Sequence, residues 1–150
     1  MKKYIFRLQA MLDIKENKLN EKLVELAQIQ QILSDEEEKL DVLNVRKNKA
    51  YEELIQIYSL EKALDIQEVC NYKGFLGKIS IEISQQKERI ENVMFFVREK
   101  QKEVNEALKE KKILENLKEK DKNRYYNNLL KQEAKELDDI ASTRYVRMAS

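Results

Sequence analysis

The chain contains no proline, no histidine and no tryptophan, and it has only two glycines and one cysteine. Each absence excludes something. A chain of 150 residues with so few turn formers has few turns, so its elements must be long. Without histidine it lacks the commonest neutral-pH base and the commonest metal ligand. Cys70 is alone, which excludes an internal disulfide and any Cys-x-x-Cys pair, and is compatible with a reducing compartment. The glycine pair in GFLGK (Gly74 to Lys78) has neither the spacing of a phosphate-binding loop nor a strand before it. No stretch approaches the ~18 uncharged apolar residues that a membrane span needs. The opening MKKYIF begins as a signal peptide might. Arg7 interrupts it, and Asp13, Lys15 and Glu16 follow. Neither sign of charge is in excess: 29 basic and 28 acidic residues are interspersed and leave a net charge of +1. Such a chain sets up no strong field, so nucleic acid is not an expected partner. The expectation is a cytoplasmic protein with no direct membrane insertion, peripheral to the inner face of a membrane only through partners.

What is present is charge and aliphatic side chains, at 38% charged and 42% hydrophobic residues. Lys, Glu, Leu, Gln and Ala dominate, all good helix formers. Regular spacing of the large aliphatics argues against disorder. Leu12, Leu19, Leu26, Leu33 and Leu40 recur every seven residues, with Ile5 ahead of them and Leu54 after Lys47. Taking this row as heptad position a, position d reads Leu8, Lys15, Lys22, Ile29, Glu36, Leu43, Ala50 and Ile57. A second seam has Val69, Leu76, Ile83, Ile90, Val97 and Val104 at a, and Tyr72, Ile79, Gln86, Val93, Lys100 and Ala107 at d. Sustained a/d patterns of this length read as coiled coil.

The second seam runs through Gly74 and Gly77 in phase, placing them on the outer face of a helix, where each costs ~1 kcal/mol relative to alanine. The phase breaks earlier, between Tyr58 and Val69. There Asp65 followed by Glu68 resembles an N-terminal cap. The spacing therefore predicts one all-α domain over residues 1–150, an antiparallel two-helix coiled-coil hairpin. Helix 1 covers about 4–58, the reversal about 59–65, helix 2 about 66–141 and a tail 142–150. With equal rise in both helices, facing residues should have numbers summing to ~126. That rule sets Leu54 against Tyr72, Ala50 against Leu76, Leu43 against Ile83 and Leu12 against Leu114. It also sets Glu36 against Ile90, Lys22 against Val104 and Lys15 against Lys111, layers that weaken a seam while fixing its register.

The same rule leaves residues beyond Arg124 without a facing partner, so helix 2 overhangs the N-terminus. That segment still carries Tyr126, Leu130, Ala134, Leu137 and Ala141 on one face, widened by Leu129 and Ile140. An unpartnered apolar stripe admits two readings: self-association, or insertion into another protein's groove or channel. A second aromatic set, Tyr51, Tyr58 and Phe75, flanks the seam. It reads first as wider cover for the seam and second as a binding surface. Two helices enclose no pocket in which to tune acid–base chemistry. No enzyme activity is expected, and no catalytic, cofactor-binding or metal-ligating residue.

Three stretches resemble one known family, the flagellar FliJ proteins of the bacterial type III export apparatus. They are FRLQAMLDIKENKLNEKLVELA at the start, NYKGFLGKISIEISQQKERI in the middle and LENLKEKDKNRYYNNLLKQEAKELDDIASTR near the end. The first resembles the family's Phe-x-Leu-Gln opening, and the second its Tyr-x-x-Phe-Leu segment. The third is similar to its closing Glu-x-Leu-Asp-Glu-Ile-Ala, with Asp139 in place of the second Glu. The resemblance implies a hairpin similar to the central stalk of rotary ATPases. It would enter and stimulate the hexameric flagellar export ATPase, contact the cytoplasmic domain of the export gate membrane protein and escort empty export chaperones. Carried over, Tyr126, Leu130 and Leu137 would touch the ATPase ring, and Phe75, Ile79 and Gln86 the gate. The last assignment conflicts with the seam, which turns Ile79 and Gln86 toward helix 1. The rival reading is a structural coiled coil that dimerises through one continuous helix, roughly 200 Å long against about 110 Å for the hairpin.

Overall fold

The computed structural model describes residues 3–60 and 65–149. Two helices, α1 (Gln9–Ser59) and α2 (Ile66–Ala149), account for nearly all of them, and no strand occurs among the described residues. Side-chain bonds join residues more than a hundred positions apart, as between Tyr4 and Asp121. A single continuous helix cannot make such bonds, so the fold is the all-α helical hairpin. Most of the expected reversal, residues 61–64, lies outside the described residues.

Local chemistry sets the helix starts. At α2 the Asp65 carboxylate accepts the Gln67 amide at 3.0 Å, and the Asp65 carbonyl accepts the Val69 amide at 3.1 Å. One free amide of the first turn is thereby satisfied by a short side chain. At α1 the first intrahelical bond runs from the Leu12 amide to the Leu8 carbonyl at 3.0 Å, and residues 3–6 are not helical. The heptad pattern carried helix 1 back to about Tyr4. Instead Tyr4, Phe6 and Leu8 leave the helical path to pack against α2. Ile5, which continues the heptad row on paper, is 83% exposed, while Phe6 is 6% exposed. α2 runs past Ala141, where the spacing ended helix 2, as far as Ala149. Both glycines lie inside α2 with ordinary helical φ, and a Cβ on either would meet nothing within 4 Å.

The chain divides into two compact units, residues 22–104 and residues 1–21 with 105–150. The first has a core of Ala50, Leu54, Leu76, Ile79 and Ile83, with Leu40, Leu43, Val69 and Tyr72 packed against it. Its polar layers are satisfied across the seam. Lys22 and Lys100 each reach both Glu25 and Glu103, at 2.9–3.5 Å, closing a four-membered ring of charges. Gln86, 4% exposed, donates to the Glu36 backbone carbonyl at 2.9 Å and to the Glu36 carboxylate. Equal rise set Glu36 against Ile90. The need to satisfy a buried amide draws it to Gln86 instead.

In the second unit Phe6, Leu12 and Leu114 form the core, covered by Tyr4 and Leu8. Lys15 and Lys111, expected to face one another, each turn to a glutamate of the other helix. Lys15 meets Glu110 at 2.9 Å and Lys111 meets Glu16 at 3.7 Å. A like-charge layer is thereby converted into two cross-helix ion pairs. Within each unit the cross-helix pairs keep numbers close to the ~126 set by equal rise, as with Leu12–Leu114 and Lys118–Gln9.

Candidate partner-binding surfaces

In the unit formed by residues 1–21 and 105–150, the N-terminal segment is fastened to α2. The Tyr4 hydroxyl donates to the Asp121 carboxylate at 2.8 Å, and its ring lies 5.5 Å from that of Tyr125. Partial burial and the Asp121 carboxylate push the Tyr4 hydroxyl up to about 12. Lys118 donates to the Gln9 side chain at 2.8 Å just below. Past this point the helix emerges into solvent, and every residue from 130 to 149 is exposed. Tyr126 is 42%, Leu130 63% and Leu137 67% exposed, and Ile140, Tyr145, Val146 and Met148 are more than half exposed. At 3.6 residues per turn, Tyr126, Leu130, Leu137 and Ile140 centre roughly 100° round the helix from the seam residue Tyr125. A partner on Leu130, Leu137 and Ile140 therefore engages a different face of α2 from the one Tyr125 turns to the N-terminal segment.

In the unit of residues 22–104 the three other candidate residues separate. Phe75 is 46% exposed, whereas Ile79 and Gln86 are 3% and 4% exposed. Ile79 belongs to the core and Gln86 to the polar layer with Glu36, so only Phe75 offers its side chain to a partner. Phe75 borders a surface groove of about 400 Å³ whose walls include Tyr72, Ala50, Glu53, Arg46 and Lys49. The Tyr72 hydroxyl donates to Glu53 at 3.0 Å, and that hydrogen bond, with partial burial, raises its pKa above the usual phenol range. Tyr51 and Tyr58 are half exposed and do not line this groove.

The ring of charges has its own electrostatic signature. The Lys100 ammonium holds the Glu25 and Glu103 carboxyls below the usual carboxylate range, Lys22 adding to both, and Lys100 is itself raised, chiefly by Glu25. Lys15 does the same to Glu110 in the other unit, and Gln86 lowers Glu36. Every one of these groups is joined to a partner inside the chain, so the network reads as seam and not as a site.

One surface passed unnoticed in the sequence. Phe95 and Phe96 are 54% and 58% exposed, with ring centroids 5.8 Å apart, beside a half-exposed Met94. Its signal was available: VMFFV carries five apolar residues where the seam asks for two.

A family model described as the flagellar FliJ protein matches residues 3–150. The chain belongs to the FliJ family. Comparison with curated proteins and with solved structures returns no match. FliJ membership supports a role in flagellar protein export. Among the described residues, no helix of this FliJ-family chain is long and apolar enough to cross a membrane.

Proposed function

We propose that the chain is a stalk-like subunit of flagellar export whose exposed C-terminal helix enters and stimulates the hexameric export ATPase. The observation that carries this reading is the continuation of α2 to Ala149 with Tyr126, Leu130 and Leu137 exposed and every residue from 130 to 149 exposed. A helix end bearing apolar side chains on a free face suits insertion into a channel lined by several identical subunits. Phe75 would contact the cytoplasmic domain of the export gate, and the same chain would escort empty export chaperones, keeping it at the inner face of the cell membrane through these partners. Flagellum assembly and motility would depend on it.

The test is ATP turnover by the cognate export ATPase with and without the full chain. Stimulation by the native chain, and its loss in Leu130→Ser/Leu137→Ser, is the expected result. Turnover that the native chain leaves unchanged, or that the double variant raises equally, would refute the stalk role. A helix that merely self-associates through the stripe would shift in sedimentation on the double substitution without affecting turnover.

A further inference from the structure

The groove beside Phe75 is cationic on the α1 side. Arg46 and Lys49 line it, both are exposed, and among the described residues neither makes a hydrogen bond or an ion pair. This sets them apart from Lys15, Lys22, Lys100 and Lys111 of the seam, each of which is matched to a glutamate. The one carboxylate in the groove, Glu53, is held by the Tyr72 hydroxyl. The opposite wall is the half-exposed Phe75 ring, and beside it α2 is bare at Gly74 and Gly77, with open space where side chains would stand. An apolar ring facing two unmatched cations is complementary to a segment that carries an aliphatic or aromatic residue next to carboxylates.

We propose that this groove binds an acidic, apolar-bearing peptide segment of a partner protein, with Phe75 as the apolar anchor and Arg46 and Lys49 as the residues that read its charge. The inference deepens the gate-contact reading of Phe75 and rests on it for the partner's identity, though not for the partner's chemistry. A nucleic acid fits the groove poorly. Two cations beside a carboxylate make a weak phosphate track, and the chain's net charge of +1 adds no long-range attraction. The bare helix surface at Gly74 and Gly77 gives a peptide backbone room to lie beside the Phe75 ring. Side chains at those two positions would narrow the approach without disturbing the helix.

The test uses the full chain and three fluorescent probes in anisotropy titrations over a range of salt. The probes are a short peptide of leucines spaced among glutamates, its twin with lysines for glutamates, and a single-stranded oligonucleotide. The acidic peptide should bind, and more tightly at low salt, while the lysine twin should not. Arg46→Gln and Lys49→Gln should each weaken it about three-fold and flatten the salt dependence. Phe75→Ala should weaken it at every salt concentration. All three positions are exposed, so circular dichroism melts should stay within about 3 °C of the native chain's. Equal binding of the two peptides, oligonucleotide binding as tight as the acidic peptide's, or indifference to both cation substitutions would each overturn the proposal. Failure of the acidic peptide to bind at all would do the same. A separate titration with the cytoplasmic part of the export gate distinguishes the readings. Gate binding lost in Phe75→Ala but unchanged in Arg46→Gln/Lys49→Gln keeps the gate contact and removes the charge reading. Peptide binding without gate binding does the reverse.

Discussion

Single side chains decide which of the candidate residues belong to a surface and which to the core. Ile79 is 3% exposed within a cluster of aliphatics, so Ile79→Ala should lower stability by about 2–5 kcal/mol through lost burial and a residual cavity. Phe75→Ala removes a half-exposed ring and should change stability by only about 0.5 kcal/mol. Chemical denaturation of the two variants checks the contrast. It also warns that loss of gate binding in an Ile79 variant would report unfolding as much as contact. The N-terminal segment gives a second contrast from neighbouring residues. Phe6→Ala should cost about 3 kcal/mol, whereas Ile5→Ala should be nearly silent, because the first is buried and the second is 83% exposed. Equal effects from the two would mean that the helix begins near Tyr4 in solution. Ile5 would then sit in the seam as the heptad row suggests.

At the scale of elements, much was legible because long helices repeat one physical rule. The break before Asp65, the cap there, the passage of α2 through both glycines and the Ala50–Leu76 and Leu12–Leu114 layers follow from period and equal rise. What period cannot see is where side chains depart from it. Lys15 and Lys111 share a layer on paper, yet their long stems carry each ammonium to a glutamate on the partner helix. Glu36 moves off its facing residue because Gln86 needs an acceptor. The N-terminal turn was missed for the same reason: burying the Phe6 ring outweighs another turn of helix. The candidate site was half legible. The exposed stripe of Tyr126, Leu130 and Leu137 follows from the arithmetic of unequal helix lengths, while Ile79 and Gln86 came from the resemblance against the seam's own phase. The ion pairs give this scale its own prediction. Glu25, Glu103 and Glu110 titrate below their ordinary value in the folded chain. Their contribution is therefore fully present above the ordinary carboxylate range, near pH 4.5, and is lost as pH falls through the lower folded values. Thermal melts should hold level from neutral pH to about 5 and then decline. Glu25→Gln/Glu103→Gln should start from a lower Tm and decline less. The groups are partly exposed, so added salt should narrow the difference between the two chains.

For the molecule as a whole, stability and function should come apart at the C-terminus. Residues 130–149 are all exposed, and the Tyr4–Tyr125 contact is the ring pairing that ties α2 beyond Arg124 to the N-terminal segment. A chain ending after Arg124 keeps Phe6, Leu12 and Leu114, the Tyr4–Asp121 bond and the entire unit of residues 22–104. The Tyr4–Tyr125 ring pair that it gives up is worth about 1 kcal/mol. Its Tm should fall by no more than about 5 °C, while stimulation of the export ATPase should disappear. The pairing of these outcomes carries the test. A large fall in Tm would mean that the terminal helix is packed in solution, through self-association or against the chain itself, and sedimentation of the two lengths would separate those cases. Unchanged stimulation would move the ATPase contact away from Tyr126, Leu130 and Leu137. Loss of stimulation with stability retained is what a helix reserved for a partner requires. Residues kept only for folding would not show that combination, since residues 130–149 are exposed among the described residues.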